Sequence, residues 1–592
     1  MKNLLYLNKY LYRYRLRLAL GILMVVGSNY FGVLIPQQIR KALDYVRGNL
    51  VEYKSATEAA QETLYGELSH SLMIFGLTVI GFALLKGLFM FFMRQTIVVM
   101  SRLIEYDLRK DIFAHLETMD LAFFKKSKTG DLMSRVSEDV SKVRMYLGPA
   151  LLYGINLVSL FVLTIGAMIN VSPTLSMWTL LPLPFLSISI YYVSRMINKK
   201  SSLIQKQLGQ LTSLAQETFS GIRVIKSYGK EEQFSSNFKK ESELFKSKSL
   251  DLAKVNALFF PLMIVLISIS NLLVIYIGGR EVAKGNITAG NIAEFVMYVN
   301  MLTWPVTSIG WIASLIQQAE ASQERINELL QHDTSLDKSG ELVQQLDGAI
   351  AFNNVSFTYP DTGVNALRDV SFELAKGQKM AIIGKTAAGK STIADLILRM
   401  YDPTSGSIML DGIPIKGHDI NNLRRRIGYV PQDVFLFSDT VTNNVAFGKP
   451  AATQEDIERY ADYAAIHHEL AELPEGYQTL VGERGVTLSG GQKQRISIAR
   501  AFIKDPDIVI LDDCLSAVDT DTEQKIMSYL NVALEEKTAI IITHRVHNLL
   551  SFDKILVLED GHIAEIGTHD ELIAADGYYK ELIDSQAMQE LQ

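Results

Sequence analysis

Long apolar runs fill the first half of this chain, whereas the second half alternates short apolar runs with turns. A bilayer core about 30 Å thick needs roughly 20 apolar residues of helix to cross it. Six stretches meet this need, at approximately residues 18–35, 72–93, 151–169, 175–193, 258–277 and 292–316. The pattern therefore predicts an all-α transmembrane domain of six helices.

The connections between these helices are unequal in length. Those between the second and third and between the fourth and fifth are long and charged, yet rich in helix-forming residues. Helical hairpins of that length would extend roughly 40 Å at 1.5 Å per residue. We expect long cytoplasmic helical extensions, with two small soluble inserts as the alternative. Basic residues before the first helix place the N-terminus in the cytoplasm: Lys2, Lys9, Arg13, Arg15 and Arg17.

Beyond about residue 326 the short apolar runs and turns are typical of an α/β domain. The predicted division is a transmembrane domain over 1–325, a linker over 326–345 and a nucleotide-binding domain over 346–592. The second domain contains an apolar strand followed by Gly384, four residues, and then Gly389, Lys390 and Ser391. This spacing is that of a phosphate loop, whose backbone N–H groups surround phosphates.

The phosphate loop predicts a nucleotide and a metal ion as ligands. Lys390 would reach the β- and γ-phosphates of ATP, and Ser391 would hold Mg²⁺. A later apolar strand, predicted over 508–511, ends in Asp512 and Asp513. A carboxylate at the carboxyl end of a strand beside a phosphate loop is well placed to bind Mg²⁺ or its water. The alternative for this acidic pair is a capped turn.

A second glycine-rich helix start lies between these two motifs, in the LSGGQ sequence of residues 488–492. Exposed N–H groups and the helix dipole make such a start an anion site. A phosphate-loop ATPase needs one phosphate site of its own. The second site is therefore expected to serve a nucleotide bound to another copy of the domain.

These motifs together resemble the ATP-binding cassette of ABC exporters. The resemblance rests on GKTAAGKST, the VPQD segment at Gln432, LSGGQ, SAVD after Asp513 and ITHR at His544, in that order. Residues 129–140 and 216–232 are similar to the two intracellular loops of that family. With the six-helix region, the resemblance covers nearly the whole chain. It implies an ABC half-transporter of the exporter type, a membrane-bound ATPase that works as a dimer.

The resemblance also implies roles for individual residues. Tyr359 corresponds to the aromatic residue that stacks on adenine, Gln432 to the residue that senses the γ-phosphate and Mg²⁺, and His544 to the switch histidine. Asp519 corresponds to the aspartate that signals across the dimer, and Glu483 lies in the segment that contacts the intracellular loops. The expected catalytic residues are Asp513, His544 and Gln432, and the expected Mg²⁺ ligands are Ser391, Gln432 and Asp512. The expected ATP contacts are Tyr359, Gly384, Lys385, Thr386, Ala387, Ala388, Gly389, Lys390, Ser391, Thr392, Ser489, Gly490, Gly491, Gln492 and Asp519.

Two residues depart from the family pattern. Asp513 replaces the usual glutamate that polarises the attacking water; it is shorter by about 1.5 Å and a slightly weaker base. We therefore expect slow hydrolysis at the site built on this phosphate loop, as in the weaker subunit of a heterodimer. A homodimer with two slow sites is the alternative. Ala387 replaces a usual glycine and would be strained by roughly 1 kcal/mol if its φ were positive.

Composition and net charge limit the classes of partner and the cellular compartment that we expect for this chain. The chain of 592 residues has a net charge of −6, which gives no indication of a nucleic-acid partner, and one cysteine, which fits a reducing cytosol. The expected location is a bacterial plasma membrane, with the lipid bilayer and a second half-transporter as partners. Family frequency favours a drug or lipid substrate. An ATP-gated channel or a membrane-anchored regulator with the same cassette is the alternative function.

Overall fold

The computed structural model describes residues 2–337, 340–343, 345–482, 485, 487–515, 520–543 and 552–590. The chain forms two compact units. The first contains Met1–Glu117 and Gly130–His332, and the second contains Thr118–Thr129 and Asp333–Gln592. We call the first the membrane unit and the second the cassette unit. The short segment Thr118–Thr129 thus belongs with the cassette unit, although it lies between two membrane helices in the sequence.

Six helices in the described part of the membrane unit are long and apolar enough to cross a bilayer. We call them the first to sixth helices, and their bounds are Arg15–Ser55, Ala60–Glu117, Thr129–Val171, Pro173–Ser220, Glu231–Ala283 and Ala289–Leu330. Each span predicted from the sequence lies within one of them, so the six-helix prediction is confirmed. The second to fifth helices continue far beyond their apolar spans, as the charged but helix-forming connections predicted. Shorter helices also lie at Asn3–Leu7, Asn8–Arg13 and Ile222–Ser227.

Local sequence explains where several of these helices begin. The Ser172 hydroxyl accepts a hydrogen bond from the Leu175 N–H at 3.3 Å, and Pro173 occupies the first position of the fourth helix. Thr288 and Asn291 form a reciprocal capping box at the start of the sixth helix. The tight turn between the third and fourth helices is therefore set by Ser172 and Pro173.

The apolar surface of the membrane unit is largely turned outward. In the second helix, no residue of the most apolar 18-residue stretch is buried within the unit. Such a surface requires lipid or another protein around it, because water would leave its apolar area unfavourably solvated. The buried part is centred on the sixth helix, where Phe295, Tyr298 and Leu302 are wholly inaccessible.

One buried ion pair joins the first and sixth helices. Glu294 is 0% exposed and pairs with the Arg40 guanidinium at 3.3 Å. The Tyr298 hydroxyl donates a hydrogen bond to Glu294 at 2.9 Å, and the Asn291 amide donates another at 3.2 Å. These partners compensate the carboxylate for its loss of water, as a buried charge requires.

The cassette unit is built on two sheets. The strand bounds are Ile350–Thr358 (β1), Asn365–Leu374 (β2), Lys379–Gly384 (β3), Ser405–Leu410 (β4), Ile413–Pro414 (β5), Ile427–Val430 (β6), Ile508–Asp512 (β7), Thr538–Ile542 (β8), Lys554–Glu559 (β9) and His562–Gly567 (β10). Strands β1, β2, β4 and β5 form an antiparallel sheet in the order β2-β1-β4-β5, and the other six form a mainly parallel sheet in the order β10-β9-β3-β8-β7-β6. The predicted α/β domain is confirmed.

The helices of the cassette unit have the bounds Lys390–Ile397, Ile420–Arg426, Val441–Ala446, Gln454–Tyr463, His467–Ala471, Gly490–Phe502, Thr520–Ala533, His569–Ala574 and Tyr578–Glu590. Strand β3 reads Lys-Met-Ala-Ile-Ile-Gly and is buried almost throughout, as a central parallel strand should be. Strand β8 pairs in parallel with both β3 and β7. The carboxyl ends of β3 and β7 therefore lie at the same edge of the sheet, and this places the phosphate loop beside the acidic pair.

Candidate functional site

The phosphate loop leads from β3 into the helix Lys390–Ile397. The Lys390 side chain is 6% exposed, and its ammonium group donates hydrogen bonds to the carbonyl oxygens of Gly384 at 2.7 Å and Lys385 at 2.8 Å. Burial lowers the pKa of Lys390, while the carboxylates of Asp512 and Asp513 oppose that shift. The Lys390 ammonium group thus bridges two carbonyl groups of the loop and places a positive charge at the centre of the loop.

The loop contains two residues in the left-handed region of backbone space. Gly389 has φ of 100°, and a Cβ there would come within 2.4 Å of the Ala366 carbonyl oxygen. Ala387 has φ of 70°. The departure at Ala387 therefore falls at a position where an L-residue is disfavoured by roughly 1–2 kcal/mol.

The acidic pair and Gln432 meet at the carboxyl edge of the sheet. Asp512 ends β7 and is 3% exposed. Asp513 follows in the left-handed region with φ of 47°, and its N–H donates to the Ile542 carbonyl at 2.9 Å. The Gln432 amide donates to the Asp513 carboxylate at 3.3 Å. Strands β6 and β7 are parallel neighbours, which brings together two residues far apart in sequence.

Tyr359 directly follows β1. Its hydroxyl lies 3.0 Å from the hydroxyl of Thr392, two residues after Lys390. Its ring packs edge-on against Phe357 at 4.9 Å and Tyr401 at 5.5 Å between centroids. Burial raises the pKa of the Tyr359 phenol. These contacts hold the ring in a fixed orientation beside the phosphate loop.

A cavity of about 610 Å³ joins these groups, a volume suited to a nucleotide-sized ligand. Most of the predicted site residues line it, namely Tyr359, Thr386, Ala387, Gly389, Lys390, Ser391, Thr392, Gln432, Asp512 and Asp513. Gly384 and Lys385 accept the hydrogen bonds from Lys390, and Ala388 is buried. Asp519, His544 and Glu483 lie outside the described residues.

The cavity also has lining residues that sequence reasoning missed. They are Asn365, Ala366 and Arg368 of β2, and Asp560 and Gly561 of the turn between β9 and β10, with Val364 and Ile542. The Asp-Gly pair was recognisable as a hairpin turn. Its place beside the phosphate loop depends on the strand order, which pairs β9 with β3.

Lys125 is a further missed residue, on the helix Leu121–Lys126 of the cassette unit. Its ammonium group lies 4.9 Å from the centroid of the Tyr359 ring and 5.3 Å from that of Tyr401, within cation–π range. Burial opposes the charge, but hydrogen bonding to Tyr401 and nearby negative groups, among them Asp395, raise the pKa of Lys125. Burial raises the pKa of Asp395 to about 6, and Lys125 opposes that shift.

The LSGGQ segment starts the helix Gly490–Phe502. The Ser489 hydroxyl accepts from the Gln492 N–H at 3.2 Å, and the Gln492 side chain accepts from the Ser489 N–H at 2.9 Å. The Gln492 amide also donates to Glu469 at 2.9 Å. Ser489 and Gly490 are exposed. None of the described residues 488–492 lines the cavity around the phosphate loop.

The residues predicted to hold Mg²⁺ suit that ion. Ser391, Gln432 and Asp512 all line the one cavity, and they offer hydroxyl, amide and carboxylate oxygens. Mg²⁺ is usually bound by one or two carboxylates together with substrate phosphates and water. This donor set fits such a site.

The fold and cavity define a class of protein, a membrane-spanning transporter half fused to a nucleotide-binding domain. Residues 17–306 match the family model of the ABC transporter transmembrane region, and residues 367–516 match the family model described as ABC transporter. The chain belongs to the ABC transporter family, as an exporter half-transporter with multidrug-resistance-like relatives. It is accordingly an ATP-binding, multi-pass membrane protein whose ATPase domain serves ATP-driven export.

Relatives and a solved structure agree with this assignment. The chain is 35% identical over 580 residues to the probable multidrug resistance ABC transporter ATP-binding/permease protein YheI of Bacillus subtilis, covering 97% of this chain and 96% of YheI. It is 37% identical over 487 residues to the multidrug resistance-like ATP-binding protein MdlA of Escherichia coli, covering 82% of each. It is also similar to a bacterial Atm1-family ABC exporter solved with ATP bound, at a TM-score of 0.74 and 27% identity, covering 97% of this chain and 98% of that one.

Replacing Ala387 by glycine should stabilise the cassette unit. Glycine relieves the left-handed strain, while the greater freedom of its unfolded chain offsets part of that gain, leaving about 0.5–1 kcal/mol. We expect the thermal transition of the cassette to rise by about 2 °C, with ATP affinity within about twofold. Ala388→Gly is the matched control. Position 388 does not have positive φ, so glycine there should lower the transition. Equal shifts in both variants would contradict the strain at Ala387.

Replacing Lys125 by alanine should weaken ATP binding with little change in turnover. Loss of a cation–π contact worth about 1 kcal/mol should raise the KM for ATP roughly fivefold and leave kcat within about twofold. ATPase kinetics of the full-length protein would measure this. The neighbouring Lys126→Ala, which removes an exposed lysine of the same helix, should change neither constant. An unaltered KM in Lys125→Ala would show that the lysine does not support the Tyr359 ring.

Proposed function

We propose that this chain works as one half of a dimer, in which two cassettes close around two ATP molecules and drive export by alternating access. The observation that carries the proposal is the LSGGQ segment. Its exposed helix start forms an anion site, yet it lies outside the chain's own nucleotide cavity. A head-to-tail partner would supply that segment to this cavity and receive the same in return.

Within each site the proposed roles follow the geometry. The phosphate-loop N–H groups and Lys390 would bind the β- and γ-phosphates, and Tyr359 would stack on the adenine. Ser391, Gln432 and Asp512 would hold Mg²⁺, which neutralises phosphate charge when bound. Asp513 would orient the attacking water, with Gln432 donating to its carboxylate at 3.3 Å and so fixing its direction. His544 and Asp519 keep their proposed roles at the γ-phosphate and across the dimer.

We further propose that the site with Asp513 hydrolyses ATP slowly. The side chain is one methylene shorter than glutamate, and general-base catalysis depends on hydrogen-bond reach. A weak base combined with an intact LSGGQ segment favours a heterodimer, because this LSGGQ would complete the faster site of the partner. A homodimer with two slow sites is the second arrangement.

The transport cycle follows from a bistable dimer. ATP would favour the closed cassettes because only that state uses both phosphate sites, and hydrolysis would release them. The helical extensions would pass this change to the spans. We propose that the spans lie in the plasma membrane of a bacterial cell, with the N-terminus and the cassette in the cytoplasm, and the basic residues before the first helix support this orientation. The relatives' description as multidrug proteins supports an amphipathic drug or a lipid as substrate.

Lengthening the base tests the slow-site proposal. In the purified chain, Asp513→Glu should raise kcat for ATP at least about tenfold, since reach is restored, with the KM for ATP within about twofold. Asp513→Asn should reduce hydrolysis to background and leave ATP binding intact. Brisk hydrolysis by the unaltered chain, lost in Asp513→Ala and not raised in Asp513→Glu, would contradict both the slow site and the heterodimer.

Uptake into sealed inside-out vesicles tests export itself. Vesicles with this chain and its partner should accumulate an amphipathic fluorescent compound such as rhodamine 6G or a labelled bile salt against its gradient, only with ATP. Lys390→Ala should abolish accumulation because the phosphate site loses its central charge. Downhill flux opened by ATP without accumulation would instead identify a channel.

A further inference from the structure

A second cavity, of about 550 Å³, lies between the fourth and sixth helices of the membrane unit. It is separate from the nucleotide cavity and falls within the usual size range for small-molecule sites. Its wall on the fourth helix includes Tyr191, Ser194, Arg195 and Lys199. The sixth helix contributes mainly small residues, beginning with Gly310.

Helical periodicity explains how this cavity is formed. Positions 191, 195, 198 and 199 share one face of the fourth helix, and positions 310, 313, 314 and 317 share one face of the sixth. The two helices approach closely at Gly310, where an added Cβ would lie 2.8 Å from the Ser194 hydroxyl. The face of the fourth helix carries the long side chains of Arg195 and Lys199, whereas the face of the sixth helix carries mainly short ones. Space therefore remains between the two helices on the C-terminal side of their contact at Gly310.

The charge of the cavity is wholly positive. Arg195 and Lys199 are its only ionic lining residues, and no carboxylate in the described part of the chain forms an ion pair with either. The adjacent Lys200 differs, because it turns to the fifth helix and pairs with Asp251 at 3.6 Å. Of these three cations on the fourth helix, Lys200 is therefore paired with the fifth helix, whereas Arg195 and Lys199 line the cavity.

The position of the cavity gives it two chemical ends. The apolar span of the fourth helix ends near residue 193, and that of the sixth ends near residue 316. Tyr191 and Gly310 lie within the apolar spans, whereas Gln317 directly follows the end of its span and Lys199 lies more than one turn beyond the end of its own, toward the charged extension. A ligand that fits both ends needs an apolar body and a polar head.

We propose that this cavity binds an amphipathic anion. Its carboxylate, sulfonate or phosphate head would lie between Arg195 and Lys199, with Asn198 and Gln317 as additional donors. Its apolar body would extend along Tyr191 and Gly310. The Arg195 guanidinium and the Lys199 ammonium are exposed to solvent in the single chain, and both groups can form charge-assisted hydrogen bonds with such a head. The inference rests on the proposed export function in naming a substrate class, and the same chemistry would suit the headgroup of an anionic phospholipid.

The test uses equilibrium binding, which needs no ATP. Full-length protein in nanodiscs of phosphatidylcholine alone would be titrated with taurocholate, an amphipathic sulfonate. Arg195→Gln/Lys199→Gln should bind taurocholate about tenfold or more weakly. The control Lys200→Gln should bind it within about twofold of the unaltered protein. Lys390→Ala should also bind normally, so a failure of ATP-driven export would not be mistaken for a failure of the anion site.

Charge reversal guards against a merely structural effect of the double variant. Arg195→Glu/Lys199→Glu should lose taurocholate binding and gain affinity for rhodamine 6G, an amphipathic cation. Loss of taurocholate binding in the glutamine variant together with this exchange of preference would support a site for a soluble amphipathic anion. Equal taurocholate affinity in the unaltered protein and the glutamine variant would overturn it.

A lipid arm distinguishes the two sources of the anion. Nanodiscs containing phosphatidylglycerol should raise the thermal transition of the unaltered protein relative to phosphatidylcholine alone if a lipid headgroup occupies the cavity. Loss of that rise in Arg195→Gln/Lys199→Gln, without taurocholate binding in any form, would assign the site to lipid. No dependence on either anion would overturn the proposal.

Discussion

The register of the parallel sheet is the constraint on which the nucleotide site depends. Strand β8 lies between β3 and β7, so the phosphate loop and the acidic pair end at one edge. Strand β6 continues that edge and brings Gln432 to Asp513. A shift of one residue in β7 would exchange the faces of its side chains and remove the carboxylates from the loop. The buried Lys390, bonded to the carbonyl groups of Gly384 and Lys385, then sets the charge at the centre.

Within this frame the two departures from the family pattern have different physical meanings. Ala387 strains a backbone that is nevertheless kept in its path by Lys390 and Gly389, so its cost falls on stability. Asp513 instead shortens the side chain relative to glutamate, and we propose that its cost falls on hydrolysis. The left-handed φ of 47° at Asp513 is tolerated better by aspartate than by most residues. The residue thus suits its backbone more readily than its proposed catalytic task.

In the membrane unit much of the apolar surface faces outward, and charged groups are arranged there in two contrasting ways. Arg40 and Glu294 satisfy each other between the first and sixth helices, with Tyr298 and Asn291 completing the carboxylate. Arg195 and Lys199 instead share a cavity with no carboxylate in its lining. A buried pair fixes packing, whereas cations left without a counter-ion in a cavity attract an anion from elsewhere.

The sequence by itself determined the six spans, the long helical extensions and the phosphate loop, because each depends on local hydrophobic runs and short-range spacing. The sequence also predicted that Gln432 and Asp513 belong to the same ATP site. That prediction came from the resemblance to a known family, because no local sequence pattern links the two residues. The tertiary structure alone decided that Ala387 has positive φ, because its conformation is set by the closure of the loop. It also placed Lys125 on the Tyr359 and Tyr401 rings and β2 and the Asp560–Gly561 turn on the cavity. These contacts join residues from distant parts of the chain, and no local pattern encodes which strands and helices become neighbours.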